Sequence, residues 1–237
     1  MSITHANTAV QTSDGSANPA AERKRARVAA IALIASPILW FVGALAFFTT
    51  LGAFYSESDP VAKLNGIAGQ RVAWTVQSLI FFAGALSASV GLILLARLLR
   101  SDAPALARAG AIAATASATA NAVFLVVRLA APLDGVRDAS EIPALLMDIH
   151  GFGTNAPWLA AMTTPVLVAA VGLLAIASYT SGKARLTGAL VALLCGAVLA
   201  AMLFMAIRSG GQLPPVVVYP IAASLGVRLL FWGARES

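Results

Sequence analysis

Long apolar runs separated by short polar joints give this chain its pattern. Six runs are long enough to cross a bilayer: approximately 28–54, 72–96, 109–131, 157–179, 186–207 and 214–233. A crossing needs about 20 apolar residues to span roughly 30 Å of hydrocarbon. Strict apolar–polar alternation, the mark of a membrane barrel, is absent. A lone strand cannot satisfy its backbone in lipid, so the runs read as helices. The expected fold is all-α, a polytopic transmembrane bundle of six membrane-spanning helices.

The first residues, "MSITHANTAVQTSDGSANPAAE", are small, polar and aperiodic. Such a segment buries too little apolar surface to offset the entropy of ordering. Residues 1–26 are therefore expected to form a disordered cytoplasmic tail, with 27–237 as the transmembrane domain. The cluster Arg23–Lys24–Arg25–Ala26–Arg27 precedes an apolar run far longer than the roughly 7–15 residues of a signal-peptide core. It reads as the start of an uncleaved first span.

Charge fixes the expected orientation. With the N-terminus in the cytoplasm, eleven of the sixteen Lys and Arg residues fall on inner segments and five on outer ones. That bias places both termini inside. Two outer connections are long, 55–71 and 132–156. The second carries a helical stripe of Ile142, Leu145, Leu146 and Ile149, with Ser140 as an expected N-cap and Gly151 after its end. This reads as a short amphipathic helix at the membrane surface.

Composition agrees with the pattern. Hydrophobic residues make up 59% of the 237 and charged residues 11%, against about 25% charged in a soluble domain. The net charge of +6 sits in clusters at the ends of apolar runs, so no nucleic-acid partner is expected. The abundance of arginine and alanine points to a GC-rich bacterial genome, hence the bacterial cytoplasmic membrane. The lone cysteine, Cys195, lies in an apolar run and reads as a small hydrophobe. His5 and His150 are far apart, so neither a metal nor a cofactor is expected.

Helices in lipid associate through small residues, because lipid tails are as apolar as leucine. Gly188, Ala192, Gly196 and Ala200 form a ridge on the fifth span, and Gly84, Ala88 and Gly91 form one on the second. Such ridges also suit a second copy or another membrane protein. The third span, "AGAIAATASATANA", is small nearly throughout and is expected at the bundle centre. Pro37, Pro165 and Pro220 each permit a kink in their spans.

No Asp or Glu lies within the six spans, which argues against proton coupling through a buried carboxylate. What remains is a polar stripe. Ser117, Asn121 and Arg128 share a face of the third span. Trp74, Gln77, Phe81 and Gly84 share one on the second, with Arg71 at its outer end. If the faces meet, Ser117, Asn121, Arg128, Gln77, Trp74 and Arg71 line an outward pocket for an amphiphile with an anionic or carbonyl head. Arg128 stands four residues before Pro132, about 6 Å below the helix end. It has a second reading there as a side chain reaching out to the headgroups. In the outer loop Asp134, Asp138, Glu141, Asp148 and His150 are the only catalytic candidates, as acid/base partners.

"YTSGKARLTGALVALLCG", "LPPVVVYPIAASLGVRLLFWGARES" and "VFLVVRLA" carry a basic turn, a glycine-bearing fifth helix, a proline-rich lead into the sixth and a terminal Trp–Gly. In these features, over about half its length, the chain resembles a bacterial family of six-span membrane proteins of unknown function. The resemblance implies an architecture and no activity. Three functions fit the sequence: binding or moving an amphiphile, a small membrane enzyme acting on a lipid or isoprenoid, and an accessory subunit.

Overall fold

Away from water a backbone must bond to itself, and the apolar runs accordingly close into helices. The computed structural model describes residues 19–52, 59–129, 135–141, 158–209 and 217–231. Among these residues there are seven α-helices, one 3-10 turn and no strand. They are α1 (Pro19–Thr50), α2 (Pro60–Gly69), α3 (Arg71–Leu99), α4 (Pro104–Leu129), the turn Ala139–Glu141, α5 (Trp158–Thr180), α6 (Arg185–Ser209) and α7 (Val218–Leu230). Five helices, α1, α3, α4, α5 and α6, are long and apolar enough to cross a membrane. The apolar α7 has 13 residues. At about 1.5 Å per residue it covers only about two-thirds of the hydrocarbon. The rest of the run expected at 214–233 lies outside the described residues.

The first helix starts earlier than expected. Pro19 stands at its first position and Glu22 lies in its first turn. A proline's fixed φ suits that position, and a carboxylate there offsets the helix dipole. The basic cluster is therefore helical and not part of a disordered tail.

The packing follows a simple plan. Helices α3, α5 and α7 touch one another and form an inner triangle. Helix α1 lies between α7 and α3, α4 between α3 and α5, and α6 between α5 and α7. The apolar stretch of α5 is 56% buried and that of α3 44%, against 17% for α4 and for α6. The alanine-rich α4 is therefore peripheral, which corrects the expectation that it occupies the centre. Small side chains permit close approach, but a helix with two neighbours uses one stripe for it. On α4 that stripe is Ala107, Gly110, Ala114, Ser117 and Arg128, while Ile112 and Val126 face outward.

The glycine ridges divide in the same way. A Cβ on Gly91 would lie 2.6 Å from Leu33 Cγ, and one on Gly188 would lie 2.6 Å from the Ala175 carbonyl oxygen. Around Gly196 nothing lies within 4 Å. With Ala192, Ala197 and Ala200 it lines an open apolar groove of about 700 Å³ between α5 and α6. Pro37 and Pro165 lie inside α1 and α5. Pro220 falls in the first turn of α7, where no helical N–H bond is lost, so it does not kink that helix.

A smaller core closes the end of the bundle where α1 finishes and α3 begins. Helix α2 was not anticipated in the 55–71 connection. Asp59 caps it by accepting from the Val61 and Ala62 N–H groups at 3.1 and 3.3 Å, and Pro60 begins it. Its Leu64 and Ile67 pack with Leu51, Trp74 and Val136. Asn65 ties α2 to the loop before the 3-10 turn: its Nδ2 donates to the Val136 carbonyl at 3.0 Å, and its Oδ1 accepts from the Val136 N–H at 2.9 Å. Gly135 has φ +80°, and a Cβ there would sit 2.7 Å from Asn65 Oδ1. Gly135→Ala is expected to cost about 2 kcal/mol, from left-handed backbone strain plus the lost Asn65 contact. Thermal unfolding in detergent measures it, and an unchanged midpoint would show that this tie carries no stability.

Candidate functional site

The site is built where the first turns of α3 meet the last turn of α4. Trp74, Gln77 and Ser78 are buried there on α3, and Arg128 is buried on α4. Arg128 Nε donates to Ser78 Oγ at 2.8 Å, and Nη2 donates to Gln77 Oε1 at 2.8 Å. The guanidinium carbon stands 3.9 Å from the Trp74 ring centroid. The Trp74 indole N–H donates to the Arg128 carbonyl at 3.0 Å, and the Ser78 hydroxyl donates to the Trp74 carbonyl at 2.7 Å. Ser78 thus gives its proton to α3 and its lone pair to Arg128.

Arg128 is 9% exposed. Its head turns back into the bundle onto Ser78 and Gln77, which corrects the reading in which the side chain reaches outward. The two oxygens and the indole face supply the contacts that water would otherwise give. Gln77 has a further consequence. A guanidinium has no acceptor, so the oxygen of the Gln77 amide must face it. The Gln77 Nε2 group then points elsewhere, buried and without an acceptor among the described residues.

The other expected pocket residues separate from this cluster. Asn121 Nδ2 donates to the Ser117 carbonyl at 2.8 Å and lies 3.5 Å from its Oγ. That pair shares the Arg128 face but sits deeper, Asn121 by about 10 Å, and it is bonded within its own helix. Arg71 is exposed at the start of α3 and stands apart from the cluster. Phe81 and Gly84 turn toward α1 instead: the Phe81 ring lies 4.3 Å from Trp40, and a Cβ on Gly84 would meet the Ser36 carbonyl oxygen at 3.2 Å. Phe81 is therefore part of the α1–α3 seam, while Trp74 stays with Arg128. Ser78 was missed, although its place four residues after Trp74 puts it on the same stripe.

Two of the five catalytic candidates have structural partners. Asp138 Oδ1 accepts from the Ser140 N–H at 2.9 Å, and Glu141 Oε2 accepts from the Arg137 N–H at 2.9 Å. Both bonds close the 3-10 turn; the helix that Ser140 was expected to cap lies outside the described residues. Asp134, Asp148, His150 and the rest of the expected amphipathic helix lie outside the described residues. Nearby, burial on α2 holds the Lys63 ammonium below its ordinary value. Among the described residues no three His, Cys, Asp or Glu side chains converge as metal ligands. The cluster offers a cation, amide donors and an aromatic face, which recognise an acceptor group. No protein-family model, curated protein or solved structure matches this chain.

Proposed function

We propose that this chain is a six-span protein of the bacterial cytoplasmic membrane, with both termini in the cytoplasm. In this reading it binds or moves an amphiphilic small molecule whose anionic or carbonyl head is taken at Arg128 and Gln77. The sixth crossing is the apolar run to which α7 belongs, in keeping with the resemblance to six-span bacterial proteins. One observation carries the ligand reading. The amide donors of Gln77, a residue 1% exposed, have no acceptor among the described residues and stand beside a cation. An unmatched buried donor costs about 1–3 kcal/mol, and an incoming carboxylate, phosphate or carbonyl oxygen relieves it.

The test compares single-chain amphiphiles that differ only in their heads. Dodecyl phosphate and dodecanoate are expected to raise the thermal midpoint of the detergent-solubilised protein, while dodecyltrimethylammonium does not. Gln77→Met is expected to weaken binding about tenfold, the equivalent of one charge-assisted hydrogen bond. Equal shifts from all three heads would remove the reading.

A further inference from the structure

Arginines converge on the other end of the bundle, and the helix register shows how. Leu33 of α1 lies against Gly91 of α3. Six residues on along α3 is Arg97, and six back along the antiparallel α1 is Arg27. Arg128 bonds Gln77 at the outer end. Twenty residues on along α3 is again Arg97, and twenty back along α4 is Arg108. Arg27, Arg97 and Arg108 thus share one level, and all three are exposed. At about 1.5 Å per residue, Arg108 stands about 30 Å from Arg128, the thickness of a hydrocarbon core.

The remaining elements extend this level into a ring. Helix α1 adds Arg23, Lys24 and Arg25, Arg100 caps the end of α3, α6 begins at Arg185, and α7 carries Arg228 in its last turn. Lys183 in the α5–α6 turn pairs with Asp102 in the α3–α4 turn at 2.7 Å, which leaves Glu22 as the only other carboxylate at this end among the described residues. Ten cations therefore face two carboxylates. At the opposite end the described charges are more even, five cations (Lys63, Arg71, Arg128, Arg137 and Arg208) against three carboxylates (Asp59, Asp138 and Glu141). Like charges held at one level repel unless a counter-ion lies between them.

We propose that this ring is a binding surface for anionic phospholipid headgroups, whose phosphates lie between the guanidiniums of neighbouring helices. The source is lipid because the ring encircles the bundle one hydrocarbon thickness from the outer cluster, where a headgroup layer lies. The proposal rests on the membrane-spanning part of the preceding reading and not on its ligand site. Arginine suits the task, since its fork matches a phosphate in two hydrogen bonds.

The experiment measures the thermal midpoint in vesicles of phosphatidylcholine alone or mixed with phosphatidylglycerol, at low and high salt. The midpoint is expected to rise with phosphatidylglycerol, and the rise to shrink as salt screens the charges. Arg97→Gln with Arg108→Gln is expected to abolish most of it, with affinity for the anionic lipid falling about fivefold per arginine removed. Arg71→Gln, at the other end, is expected to leave it intact. Should the double glutamine variant fail to fold, Arg97→Lys with Arg108→Lys keeps the charge and is expected to keep the rise. Equal midpoints in the two lipids would overturn the proposal, as would loss of the rise in the lysine pair. A matching rise from heparin added to phosphatidylcholine vesicles would overturn it in favour of a soluble polyanion. Head-group selectivity at Arg128 is read separately, so either idea can fail alone.

Discussion

Gly188→Ala is expected to destabilise the bundle by about 3 kcal/mol, the upper end of the range for overpacking a tight contact. The added Cβ would meet the Ala175 carbonyl oxygen at 2.6 Å and the Tyr179 backbone nitrogen at 2.8 Å. Backbone atoms have no rotamer through which to yield, so α5 and α6 must separate. Close packing is what holds helices together in lipid, and separation forfeits it along the whole α5–α6 contact. The gain in helix propensity from Gly to Ala, about 1 kcal/mol, does not offset this. Gly196 supplies the control two turns along the same helix. Nothing lies within 4 Å of its Cβ position, so Gly196→Ala is expected to be neutral or stabilising by up to about 1 kcal/mol. Thermal or denaturant unfolding of the two variants in one detergent measures the contrast. Equal midpoints would refute the α5–α6 geometry.

Arg128→Met is expected to act on two readouts at once. It removes hydrogen bonds to Gln77 and Ser78 and the contact with the Trp74 ring. Neutral hydrogen bonds between membrane helices average about 0.6 kcal/mol, whereas bonds to a charged group run to about 1.5–3 kcal/mol. The methionine returns apolar contact and avoids the cost of burying a charge. A net loss of about 2 kcal/mol is expected, visible as a lower unfolding midpoint. Binding of dodecyl phosphate is expected to fall more than a hundredfold, because the cation and the amide it positions are lost together. Arg128→Lys separates the two effects. It keeps the charge but loses the planar fork and the stacking on Trp74, so part of the binding is expected to survive. Wild-type binding in Arg128→Met would defeat the ligand reading while leaving the fold untouched.

The places where sequence and structure part company share a cause. The four-residue and seven-residue spacings correctly put Ser117, Asn121 and Arg128 on one face of α4, because helix period is a local property. The same reasoning grouped Trp74, Gln77, Phe81 and Gly84, yet α3 meets α4 with the first two and α1 with the last two. A helix wedged between two neighbours divides its buried face, and periodicity carries no record of where. The alanine content of α4 reported its capacity for close contact but not the number of its neighbours. Helix α2 was hidden because its ten residues are too few to show a clear period, although Asp59–Pro60 was a legible start.

Apolar run lengths alone determined an all-helical chain with several helices able to cross a membrane, because the cost of an unpaired backbone in lipid leaves few alternatives; six were expected, and five such helices stand among the described residues. With the clustered charges, they also determined that arginines gather at one end, since alternating helices return every second joint to the same side. Tertiary structure alone decided which helices are inner, and that Arg128 turns inward onto Trp74, Gln77 and Ser78. Those outcomes depend on how whole helices are rotated and paired, and that choice is made by the sum of many small contacts from residues distant in the chain.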